Sequence, residues 1–149
     1  MKSPPLGLQP ADNFLASVHV LSNRITRAFF SEVESKHGLT LPEWRVLLSL
    51  ADHAGLTANE IKDRWAMDKM TISRAVRRLE RTGRIARRRN PKDGRSYVLS
   101  VTKKGAGLYK KILPTAARYR ELLSCLSETE LSSLRTTLAK MIRHIEKLL

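Results

Sequence analysis

Phe14, Val18, Leu21, Ile25, Ala28 and Phe29 recur at steps of three and four, which puts them on one face of a helix beginning near Asp12. Gly38, which enters the left-handed conformation without a Cβ penalty, ends that helix. Thr40 and Glu43 have capping-box spacing ahead of Trp44, Val46, Leu47, Leu48 and Leu50, and predict a shorter second helix that stops before Gly55. The spacing recurs at Thr57 and Glu60, before Ile61 and Trp65, and at Ser127 and Glu130, before Leu131, Leu134, Leu138, Met141, Ile145 and Leu148. Asp68 is placed to cap a fourth helix that runs to Gly83 with Ile72, Val76 and Leu79 on its inner stripe.

The period then changes. Tyr97, Leu99 and Val101 alternate with Val98 and Ser100, which predicts a strand over residues 96–102, paired with one over 84–90 through the turn formers Pro91, Lys92, Asp93 and Gly94. Thr102 caps a fifth helix through Leu108, Ile112, Leu113, Ala116, Leu122 and Leu126, in which Pro114 predicts a kink or break. The fold expected is mainly α with a small β-hairpin. A winged helix-turn-helix region at 40–102 is flanked by a dimerisation helix at 12–38 and C-terminal dimerisation helices at 103–149, one compact domain overall, after a flexible Pro- and Gly-containing arm at 1–11. The apolar stripes of the first, fifth and last helices exceed what a small central core can cover, so they pack on each other in an intramolecular bundle or on a second copy of the chain, and a homodimer is the expectation.

Charge gives this outline a partner. The 149 residues carry a formal net charge of +14, and the stretch from Thr57 to Thr102 holds 13 Lys and Arg against 5 Asp and Glu. Such a field attracts polyanions, nucleic acid first. Cys125 is the single cysteine, which excludes an internal disulfide and any multi-cysteine metal site within one chain. The four histidines lack the spacing of a helical metal pair, and no nucleophile–base motif, glycine-rich phosphate loop or carboxylate pair is present, so neither cofactor nor catalysis is expected. No apolar run approaches the ~18–20 residues that span a bilayer. A soluble, cytoplasmic protein without membrane contact is the expectation.

The fourth helix would turn Met70, Thr71, Arg74, Arg77 and Arg78 outward, with Lys69 and Ser73 beside them and Thr57 at the start of the bracing third helix. Arg74 or Arg77 can donate two hydrogen bonds to guanine O6 and N7, Thr71 and Ser73 can bond a base or a phosphate, and Met70 can touch a thymine methyl. In the hairpin, Arg87, Arg88, Arg89 and Lys92 suit the phosphate backbone and Arg95 a narrow minor groove, with Asp93 holding Arg95 in position. Two rivals use the same surface: a sequence-nonspecific architectural or RNA-binding winged-helix protein, and a protein-interaction module for an acidic partner.

Thr57, Glu60 and Ile61, then Thr71, Ile72, Ser73, Arg74, Val76, Leu79, Glu80, Gly83, Ile85 and Arg87, then Pro91, Asp93 and Arg95, and lastly Val101, Thr102 and Gly105 together resemble the signature of the MarR family of bacterial transcription regulators. The resemblance implies a homodimer on a pseudo-palindromic double-stranded DNA operator, usually a repressor, released by a small, often aromatic or phenolic ligand or by cysteine oxidation. It also implies an effector pocket between the first, second and fifth helices, where His19, Trp44, Arg45 and Arg118 are candidate lining groups. The oxidation-sensing branch carries its cysteine in the first helix, where this chain has none, so Cys125 is expected to be a buried or idle thiol. Lys62, Trp65 and Arg84 depart from the family pattern, standing for a small Ala, a Leu and an apolar residue.

Overall fold

The computed structural model describes residues 13–91 and 93–148; the arm expected at 1–11 and Lys92 lie outside the described residues. The chain divides into two compact units, one up to Thr115 and one from Ala116 onward. The first unit opens with α1 (Phe14–His37), capped by Asn13. The Asn13 Oδ1 accepts from the backbone N–H groups of Leu15 and Ala16 at 3.0 and 3.2 Å, two donors that a helix start otherwise leaves unpaired. Gly38, at φ 59°, ends α1 in the left-handed region, as its position in the sequence predicts.

The two capping boxes start α2 (Leu41–Asp52) and α3 (Ala58–Arg64). Asp68 caps α4 (Lys69–Arg81), and Gly83, at φ 68°, turns the chain into the hairpin. The hairpin consists of β1 (Ile85–Arg89) and β2 (Tyr97–Val101), antiparallel, with Ile85 opposite Val101 and Arg89 opposite Tyr97. Leu39, Val46, Leu47, Ile61, Ile72, Leu79 and Leu99 are fully buried and gather α2, α3, α4 and β2 around one core. That core fixes the rotation of α4, because Ile72, Ala75, Val76 and Leu79 must all face inward.

Thr102 caps α5 (Lys103–Arg118): its Oγ1 accepts from the Gly105 N–H at 3.1 Å and donates to the Gly83 carbonyl at 2.7 Å. Helix α5 is not broken at Pro114. It continues to Arg118 and only then tightens into a 3-10 turn over Tyr119–Leu123. Pro114 and Lys110 both lie on exposed positions, so the Lys110 carbonyl that loses its intrahelical donor can turn to water. Ser127 and Glu130 form the third capping box, which starts α6 (Glu128–Glu146), a helix with no buried residue.

Candidate nucleic-acid interface

Helix α4 advances about 100° per residue, and its buried stripe fixes what the rest of the surface presents. Met70, Arg74, Arg77 and Arg81 fall opposite the core, Lys69 and Ser73 on the hairpin side, and Thr71 and Arg78 on the α2 side. Met70 is 54% exposed, a large apolar side chain in water with no structural reason to be there. Arg74 and Arg77 are exposed; Arg77 lies back along the helix, donating to the Ser73 carbonyl at 3.4 Å and to its Oγ at 3.3 Å. Arg81 belongs to the same face and was not among the residues singled out from the sequence, although the helical period places it there.

Between α3, α4 and the hairpin lies a cleft of about 400 Å³. Thr57, Lys62, Lys69, Ser73, Arg87 and Arg95 line its walls, and Ile72, Val76 and Leu99 its floor. Four cations thus converge on one apolar-floored groove, which concentrates positive potential between helix and hairpin. Thr57 takes part chiefly through its cap, its Oγ1 accepting the Glu60 N–H at 3.2 Å.

Strand alternation sorts the hairpin arginines. Arg87 and Arg89 share a face with their partners Leu99 and Tyr97, whereas Arg88, opposite Val98, points the other way. Arg87 is not a loose cation. Its Nη2 lies 3.4 Å from the Glu80 carboxylate of α4, and its guanidinium stands 5.3 Å over the Tyr97 ring. It therefore braces the hairpin against α4, a role that neither strand pattern nor charge reveals without the pairing of Glu80. Arg95 is exposed beyond the turn; the Asp93 carboxylate accepts from its backbone N–H at 3.0 Å, so Asp93 fixes the main chain and leaves the guanidinium unengaged by that bond.

Arg78, expected on the outward face, instead turns toward α2, where its Nε lies 3.2 Å from the buried Glu43 carboxylate. Of the four groups suggested for an effector, Trp44 is buried, stacked on Tyr109 at 5.7 Å and tilted against Phe29 at 5.6 Å. It fills the core because a large apolar ring there gains more from packing than from lining open space. Arg45 lies 5.1 Å over the Trp65 ring and donates to the Met67 sulfur, and burial lowers its pKa from the ordinary value. His19 is exposed on α1, and Arg118, also exposed, belongs to the second unit. Among the described residues no group of three His, Cys, Asp or Glu could hold a metal, and no helix is long and apolar enough to cross a membrane.

The N-terminus of α4 carries its own pH dependence. Hydrogen bonds from the Thr71 side chain and backbone hold the Asp68 carboxyl below the usual carboxylate range. A depressed folded value means that the stabilisation is present above the unfolded pKa of about 3.9 and is lost as pH falls through the folded one. Asp68→Asn keeps a good cap but removes the titration, so its stability should fall less steeply below about pH 4 than that of the unaltered protein in denaturant titrations across pH. Equal acid limbs would show that the cap does not titrate.

The sequence pattern that defines the MarR family matches residues 37–96, from the end of α1 to the hairpin turn. The organic hydroperoxide resistance transcriptional regulator of Bacillus subtilis (strain 168) is 30% identical over 100 residues, covering 67% of this chain and 68% of that protein. The HTH-type transcriptional regulator TtmR of Methylorubrum extorquens (strain PA1) is 34% identical over 96 residues, 64% of this chain and 49% of the relative, so the chain spans about half the length of that protein. A crystal structure of a MarR mutant from E. coli complexed with operator DNA superposes with a TM-score of 0.76 at 25% identity, over 90% of this chain and 97% of that one. Helix order, hairpin, cationic groove and these likenesses agree: the chain belongs to the MarR family, a family of transcription regulators and not of enzymes.

Proposed function

We propose that this protein is a sequence-specific double-stranded DNA-binding regulator that acts as a homodimer on a pseudo-palindromic operator, as a ligand-responsive repressor in the cytoplasm. The observation that carries the reading is the outward face of α4, where Met70, Arg74 and Arg77 stand exposed beside a cationic groove bounded by Arg95. A two-fold assembly is supported by apolar side chains left in water: Phe14, Leu15, Val18 and Leu21 on α1, and Leu134, Leu138, Ile142 and Ile145 on α6. A second copy would cover them and set two α4 helices about one DNA turn, roughly 34 Å, apart. Release by a small aromatic or phenolic effector follows from the family likeness.

Arg74→Ala decides whether α4 distinguishes bases. Loss of a bidentate base contact should weaken the preferred duplex by ~10–100-fold while a random duplex of equal length loses far less, measured by fluorescence anisotropy at fixed salt. Equal losses on both duplexes would refute base recognition by Arg74 and favour the sequence-nonspecific alternative.

A further inference from the structure

We infer that Arg78 does not touch DNA but is a positioning residue, locked with Glu43 and the end of α1, that sets the pose of the DNA-facing helix; the inference rests on the DNA-binding reading above. Glu43 divides its carboxylate between two helices. One oxygen accepts the Thr40 N–H at 2.9 Å and closes the capping box of α2. The other receives Arg78 Nε at 3.2 Å, with the Glu43 side chain only 2% exposed and that of Arg78 46% exposed. Arg78 Nη2 also donates to the Gly38 carbonyl at 3.3 Å. Just past the same end of α4, Arg84 Nη2 donates to the neighbouring His37 carbonyl at 3.4 Å.

The His37 carbonyl is the last of α1, at that helix's negative end, the Gly38 carbonyl follows it in the cap, and two arginines from the α4–β1 segment are fixed on them. Swinging out to a phosphate would take Arg78 off a buried carboxylate, and an unpaired buried charge is costly. Arg74 and Arg77 have no such tie and stay with the DNA-facing surface. Arg84, which departs from the family's apolar residue at its position, is thereby explained as the second strut of the same anchor.

Salt dependence separates a strut from a contact. A duplex selected by the unaltered protein from a random-sequence pool, and a random duplex of the same length, are titrated across a salt series with the full chain. Arg78→Gln should bind the selected duplex ~10-fold more weakly, the size of one degraded base contact, with its log–log salt slope unchanged. Arg95→Gln, the control, should flatten the slope. Glu43→Gln keeps every cation yet frees Arg78, and should lose ~10-fold of its preference for the selected over the random duplex; it decides alone if Arg78→Gln does not fold. A slope that falls in Arg78→Gln by about 0.9 per protomer, or a Glu43→Gln protein that keeps full preference, overturns the positioning role and leaves DNA binding standing. Failure of the unaltered protein to enrich any duplex overturns the DNA-binding reading and this inference with it.

Discussion

Gly105→Ala is expected to lower the melting temperature by about 4–8 °C at fixed protein concentration, while Gly107→Ala, two residues along the same helix, raises it by about 2–4 °C. Gly105 is buried where the first turn of α5 crosses the α4–β1 junction. A Cβ there would overlap the Arg84 carbonyl oxygen and stand 2.9 Å from Val101 Cγ1. That carbonyl already accepts the Thr102 N–H at 3.1 Å, so it is pinned and cannot swing away as a side chain can. Overpacking of a core costs typically 1–3 kcal/mol, and a backbone obstacle belongs at the upper end, about 3 kcal/mol. Better helix propensity returns about 1 kcal/mol, too little to offset it. At Gly107 a Cβ meets nothing within 4 Å, so only the propensity gain remains. Thermal unfolding followed by circular dichroism checks both; a Gly105→Ala protein at least as stable as the parent would show that α5 and the hairpin base do not approach so closely. Because the hairpin starts at that junction, the variant should also lose duplex affinity.

What the sequence made legible was local. Thr40 with Glu43, Thr57 with Glu60, Ser127 with Glu130 and the lone Asp68 each act within one helical turn, so spacing alone located the starts of α2, α3, α6 and α4. The hairpin was equally local, its strands shorter by a residue at each end than the alternation suggested. Partners far apart in the chain were not legible. Glu43 and Arg78 are 35 positions apart, and nothing in charge or period says that one arginine of a run on α4 is reserved for a buried carboxylate. Arg87 looked like a phosphate contact because the Glu80 side chain that holds it, only seven positions back, sits on the preceding element. Trp44 looked like a pocket wall only through the family resemblance, and nothing local to it signals that Phe29 and Tyr109 close over it. Pro114 misled in the other direction, since the cost of a proline in a helix depends on whether the orphaned carbonyl faces water.

Affinity for the selected duplex should fall about 10³-fold between 50 and 200 mM monovalent salt. On the proposed function, the unpaired cations near the groove enter that figure. Lys69 and Arg95 line the groove, Arg89 is exposed on the hairpin opposite Tyr97, and the three form no ion pair among the described residues, whereas Arg78 and Arg87 are paired with Glu43 and Glu80. If Lys69, Arg89 and Arg95 of each protomer in the proposed dimer each neutralise one phosphate, the log–log slope is about −5, at 0.9 per contact released. Arg74 and Arg77, aimed at base edges, should contribute specificity and little slope. Arg95→Gln then tests the assignment directly: it should flatten the slope by about 2 and weaken selected and random duplexes by similar factors, the reverse of the pattern expected for Arg74→Ala. A total slope shallower than about −2 would mean that fewer than half of these cations meet phosphate. The excess charge between Thr57 and Thr102 would then serve solubility, and the groove between α4 and the hairpin would not be where the duplex lies.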